Sequence, residues 1–203
     1  MILKTFAKAP KFTQLQSFAV VVQTGDKPAI ASALQALQTN PDFQGKGWQA
    51  SFAKLATLFA TSTAQYFSST SDVAFWMNEL SKVPNCRAYG YSKSFAALLA
   101  YDANAQWPSN YQLNISGGHN ATQSTVDAVK ALPITRGEFI AVSIGRKVHG
   151  HEHGTPAVNA AIRKAMGDVK VFPCPGACGS CTGAGHACGM PQLKGRVIAI
   201  AMH

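Results

Sequence analysis

With 203 residues, 47% of them hydrophobic, the chain can bury a full-sized core, which excludes a disordered tail. It carries 18 Lys and Arg against 9 Asp and Glu, a formal charge of +9. That surplus points to an anionic partner, DNA or RNA first, although only 13% of residues are charged and no dense Lys/Arg block exists, so low acid content alone also accounts for it.

At the start, MILKTFAKAPKF breaks its apolar residues with Lys4, Lys8 and Lys11, unlike the apolar stretch of a secretory signal. No run approaches the roughly 18 apolar residues of a membrane span. The expectation is a cytoplasmic protein, and in a reducing compartment clustered cysteines serve as ligands more often than as disulfides. Residues 1–62 read as a mostly helical segment packing on the main domain, with a strand at Phe18 to Val22 and amphipathic helices at Pro28 to Gln38 and Trp48 to Ala60. Lys46 and Lys54 fall on its exposed surface.

From about residue 63 to residue 203, short β-type runs alternate with helical ones. Strands are predicted at Ala64 to Phe67, Arg87 to Tyr91, Tyr111 to Ile115, Phe139 to Ile144, Val169 to Phe172 and Val197 to Ala201. Helices are predicted at Asp72 to Lys82, Ser94 to Asn104, Thr122 to Leu132 and Ala157 to Met166, with Ser71 and Asn120 as caps, Pro156 in a first turn and Gly167 as a stop. This alternation is the pattern of an α/β fold, a mainly parallel sheet of repeated βα units forming a partial or distorted barrel, with a cysteine-rich metal loop near its end.

In such architectures function collects in the loops that leave the carboxyl ends of the strands. Asp72, beside Thr70 and Ser71, is placed to act as a base or substrate anchor, or simply to stabilise a helix dipole. Lys93 follows Tyr89-Gly90-Tyr91-Ser92 and is a candidate phosphate contact. His119 follows Gly117-Gly118, where bare amides can approach an anion before a helix start. His149, His151 and His153 alternate with Gly150 and Glu152, so in an extended loop all three imidazoles point the same way and can hold a metal, cofactor or phosphate; an exposed polar loop explains them equally.

The densest chemistry is Cys174-Pro-Gly-Ala-Cys178-Gly-Ser-Cys181-Thr-Gly-Ala-Gly-His186-Ala-Cys188, four soft ligands in fifteen residues with glycines that let the backbone fold around a shared centre. Thiolates so spaced suit Zn2+ or a [4Fe-4S] cluster rather than a hard cation. Three close cysteines and a more distant fourth tilt the choice toward iron-sulfur, while zinc accepts the same four thiolates. Cys86, alone before a strand, reads as a small core residue.

The first three cysteines, CxxxCxxC, also resemble the motif of radical S-adenosylmethionine enzymes, whose partial barrel is similar to the expected fold. That resemblance implies S-adenosylmethionine as a cofactor. In that family the motif follows the first strand, here a late one, and Cys188 can close the iron that such chemistry leaves open. From Gln65 to His203, Ser69-Thr70-Ser71-Asp72, then Pro84-Asn85-Cys86-Arg87-Ala88-Tyr89-Gly90-Tyr91-Ser92-Lys93, Leu113-Asn114-Ile115-Ser116, the cysteine run and Val197-Ile198-Ala199-Ile200-Ala201-Met202-His203 resemble a family of phage and plasmid proteins of the gene product eighty-eight type. The resemblance implies a mobile-element origin and life inside a bacterial host. Members often carry another Cys-Pro-Gly segment near the N-terminus, and this chain has no cysteine before Cys86. Three roles follow: an enzyme acting on nucleic acid or a nucleotide, a zinc-stapled nucleic-acid-binding protein, and a phage structural or interaction protein.

Overall fold

The structure is a computed structural model that describes residues 21, 24–39, 69–84, 88–176, 181 and 187–202. Five parallel strands form one sheet: β1 Ala88–Ser92, β2 Tyr111–Ser116, β3 Thr135–Val142, β4 Val171–Pro173 and β5 Val197–Ala201. Around it lie α1 Lys27–Thr39, α2 Thr70–Ser81, α3 Phe95–Asp102, α4 Gln123–Ala131 and α5 Pro156–Met166. The parallel α/β expectation therefore holds. The strand order is β1-β2-β3-β5-β4, which turns back at its end instead of following the chain as a partial barrel does. Among the described residues no helix is long and apolar enough to cross a membrane.

Local chemistry sets the helix ends. Ser69, not Ser71, caps α2, its Oγ accepting from the Asp72 N–H at 3.2 Å. Thr122, not Asn120, caps α4, and Thr155 caps α5, whose Pro156 stands in the first turn where no N–H is needed. Gly167, at φ 58°, stops α5 as expected. In α1, Ile30 and Leu34 lie one turn apart and are buried in the same core as Val73 and Met77 of α2. The strand expected at 64–67, the helix at 48–60, Lys46, Lys54, Cys86 and the boundary at 62/63 lie outside the described residues, as does the strand at 18–22 apart from Val21.

Register separates the sheet into two faces. Leu113 and Ile115 of β2 pack against Leu98 of α3 and Val126 and Val129 of α4. Ile140, Ala199 and Ala201 pack against Val158 and Ile162 of α5. Ile115 pairs with Glu138, two residues before Ile140, and Ile140 pairs with Ala199, so these positions share one face. The chain moves in one direction from β1 to β4, and right-handed crossovers put α3, α4 and α5 together on that face. From β4 it steps back to β5, so the same handedness throws this last connection onto the opposite face. There it covers Tyr89, Tyr91, Phe139, Phe172 and Ile198 with Cys174, Cys181, Ala187, Cys188 and Leu193. That crossover is the cysteine run, and its described part carries two short 3-10 turns, Ala187–Gly189 and Pro191–Leu193.

Candidate metal centre

Cys174 leaves the end of β4, where its N–H donates to the Ala199 carbonyl at 2.7 Å. Cys188 sits in the Ala187–Gly189 turn under β1 and β2 and is buried. The turn can approach because Gly189 has no side chain; a Cβ there would stand 2.8 Å from Tyr89 Cδ1. Three side chains fix Cys188 from the sheet. Tyr91 Oη donates to its Sγ at 2.8 Å, Asn114 Nδ2 donates to its carbonyl at 2.9 Å and to the Gly90 carbonyl at 3.2 Å, and Arg136 Nε donates to Asn114 Oδ1 at 2.5 Å. Burial pushes the Cys188 thiol up to about 12; Tyr91 opposes the shift, Cys174 and Cys181 add to it, and Arg136 works against it. Three of the four expected thiols thus share one apolar layer, and Cys178 lies outside the described residues. Among the described residues no three or more His, Cys, Asp and Glu side chains form a group able to hold a metal ion.

Arg136 is the residue that sequence reasoning missed. It is 0% exposed, and besides Asn114 it donates through Nη1 to the carbonyls of Leu193 at 3.2 Å and Arg196 at 2.9 Å and through Nη2 to the Glu138 carbonyl at 3.2 Å. All four acceptors are neutral, and none of the ion pairs among the described residues includes it. Desolvation lowers its pKa, while the proximity of Cys188 and Tyr91 favours its charge. No local signal in the sequence marks it, because the strand predicted from Phe139 leaves Arg136 outside; the pairing of Asn114 with the adjacent Gly137 is what brings it beside Asn114.

The strand-end residues divide into separate groups. Lys93 Nζ donates to the Gly118 carbonyl at 3.0 Å, which ties the β1 loop to the β2 loop. The next residue, His119, packs its ring edge-on to Phe95 at 5.1 Å, and its buried Nδ1 has no hydrogen-bond partner among the described residues. Asp72 is held instead by Lys27 Nζ at 3.1 Å and Ser69 Oγ at 2.7 Å, as a helix-start carboxylate.

The histidine loop is not extended. Gly150–Glu152 is a 3-10 turn, which removes the alternation that would align three imidazoles. His149 and His151 stack in parallel with centroids 6.0 Å apart and are exposed. The turn is pinned by Glu152, which accepts from the His149 N–H at 2.8 Å and pairs with Arg146 at 2.7 Å; the Arg146 hydrogen bond leads in holding its carboxyl down at about 2. His153 instead lies against the cysteine run, where a Cβ on Gly176 would stand 3.0 Å from its Cβ. Comparison with protein-family models, with curated proteins and with solved structures finds no match for the chain.

Proposed function

We propose that the protein is a cysteine-ligated metal protein, in which Cys174, Cys178, Cys181 and Cys188 hold Zn2+ or a [4Fe-4S] cluster against the sheet face that the β4-to-β5 crossover covers. The observation that carries this reading is Arg136, a buried guanidinium with only neutral acceptors, beside the layer that collects Cys174, Cys181 and Cys188. A buried charge is costly unless paired. One dication and four thiolates sum to two negative charges, which supplies the counter-charge that the carboxylates do not. The donor set fits as well: soft sulfurs in an apolar layer suit zinc or iron-sulfur and not a hard cation. The Tyr91 hydroxyl and the Asn114 amide give Cys188 the outer support that metal ligands need to hold their orientation.

A second reading adds catalysis at the other group. Lys93 bound to the loop before His119, with an imidazole nitrogen lacking a partner among the described residues, favours an anionic substrate at the ends of β1 and β2, such as the phosphate of a nucleotide or nucleic acid. S-adenosylmethionine enters this reading only with an iron-sulfur cluster. A phage or plasmid origin in a bacterial host accords with either reading through the resemblance of the motifs from Ser69 to His203.

The deciding experiment is metal analysis of protein purified without oxygen, with a visible spectrum and acid-labile sulfide. One zinc per chain, or about four irons with sulfide, is expected, and Cys174→Ser or Cys188→Ser should lose most of it. Protein that stays metal-free after anaerobic reconstitution with zinc or with iron and sulfide overturns the proposal.

A further inference from the structure

A different part of the molecule carries charge that the fold leaves unspent. The chain has 9 Asp and Glu in all. Asp72, Glu79, Glu138 and Glu152 are paired with Lys27, Lys82, Lys130 and Arg146. Asp26 accepts from the Ala29 N–H, Asp102 from the Trp107 indole and Asp127 from Gln123. Among the described acids only Asp168 has no recorded partner. Five exposed bases, Arg163, Lys164, Lys170, Lys194 and Arg196, are in no ion pair among the described residues.

All five meet at the amino end of the sheet. Arg163 and Lys164 are in the last turn of α5, which returns the chain to the start of β4. Lys170 immediately precedes β4 and Arg196 precedes β5. Val171 pairs with Val197, and the Val197 N–H donates to the Lys170 carbonyl at 3.0 Å, so the two bases begin neighbouring strands. The Gly195 N–H donates to the Arg136 carbonyl at 2.7 Å, which sets Lys194 to Arg196 beside the start of β3. Arg163 and Lys164 also complement a helix C-terminus, but no α-helix accounts for Lys170, Lys194 and Arg196, and Lys194 only closes a three-residue 3-10 turn. Like charges on adjacent strands, with backbones about 4.8 Å apart, repel and do not stabilise the fold.

We infer that this edge, formed by the starts of β3, β5 and β4 and the end of α5, binds the phosphate backbone of a nucleic acid. Its five bases outweigh Asp168, the acid on the same edge, so its net charge complements a row of phosphates, and Lys and Arg are the residues that make such contacts. A lipid surface would need large apolar side chains to insert, and among the described residues the edge exposes only Val169, at 46%. A protein partner would need aromatic anchors, and none stands among these residues. The surface lies at the opposite end of the strands from Lys93, His119 and Cys174, so its test is independent of the metal centre.

The test is fluorescence anisotropy of the full chain with a labelled DNA duplex and a labelled single-stranded RNA at 50–200 mM salt, with anionic phosphatidylserine vesicles in parallel. Five contacts predict a duplex slope of log K against log salt near −4.5, a fall of roughly 500-fold over that range. K170E and R196E should each weaken binding and flatten the slope by about 1, whereas K147E, which removes the same charge from an exposed site elsewhere, should leave the slope unchanged. Circular dichroism confirms that each variant is folded. No nucleic acid binding at 50 mM salt, equal losses in K147E and K170E, or binding to vesicles alone would overturn the inference.

Discussion

Replacing Arg136 with Met keeps most of the side-chain volume but removes every donor. Asn114 Oδ1 and the carbonyls of Arg196 and Glu138 lose the guanidinium donor, while the Leu193 carbonyl keeps the Arg196 N–H at 3.0 Å. Each buried orphan costs about 1–3 kcal/mol. Water entering on the part-buried Nη side and relief from holding a desolvated cation return some of that sum, which leaves a net loss of about 3–5 kcal/mol. For a domain of this length that is a fall of roughly 6–20 °C in Tm. The measurement is thermal and urea unfolding, followed by circular dichroism, of metal-free and metal-loaded protein. The loss should be larger with metal bound, because the variant then leaves the thiolate centre's negative charge unbalanced. Arg136→Lys should fall between, since one ammonium keeps the charge but cannot reach four dispersed acceptors. A Met variant melting within about 2 °C of the parent in both states would falsify the assignment of Arg136 as the charge that holds the crossover.

Tyr91→Phe deletes the donor to Cys188 Sγ and should cost about 1 kcal/mol of stability while speeding zinc transfer to a chromophoric chelator; an unchanged transfer rate would deny that the hydroxyl supports the ligand. In metal-free protein the unfolded Cys188 thiol ionises near 8.5 and the folded one only near 12. Stability contributed by this group is therefore intact below about pH 8.5 and is lost as pH rises toward 12, at no more than about 1.4 kcal/mol per pH unit. Urea unfolding at pH 8 and pH 10 should show that decline in the parent and a shallower one in Cys188→Ala; parallel declines would refute it. Gly137→Ala puts a Cβ 2.6 Å from the Arg196 carbonyl oxygen, a backbone atom that cannot swing away, and should cost about 1–3 kcal/mol in the same unfolding assay.

Local signals in the sequence were good guides where local chemistry decides the structure. Val197–Ala201 is an unbroken apolar run and forms β5 at the expected bounds, and Pro156 and Gly167 frame α5 as punctuation should. Ser69-Thr70-Ser71 offers several caps, and Ser69 takes the role because Asp72 stands three residues on, where its N–H reaches back. The start of β3 was hidden. Thr135-Arg136-Gly137 looks like a turn, yet Thr135 pairs with Leu113 and Arg136 is interior because carbonyls from distant segments surround it. Strand order was equally out of reach, since the pairing of β3 with β5 is settled by non-local packing. Of the cysteines that spacing singled out, Cys174, Cys181 and Cys188 lie in one apolar layer, whereas the histidine alternation assumed an extended backbone that the Glu152 contacts replace with a turn.

The reversed strand order also governs how the molecule assembles. β5 comes last in the chain among the described strands but sits inside the sheet, so a chain folded only as far as β4 leaves a slot one strand wide between two unpaired edges. Phe139 pairs with Ile198 across 198 − 139 = 59 residues, which makes this insertion the contact with the heavier loop-closure cost and the natural slow step. Until it is complete the tyrosine and phenylalanine face stays open to other chains, and aggregation competes with folding. If the proposed centre gathers the four cysteines, it would shorten the tether between β4 and β5, so that binding metal early would speed closure of the slot as well as hold it shut.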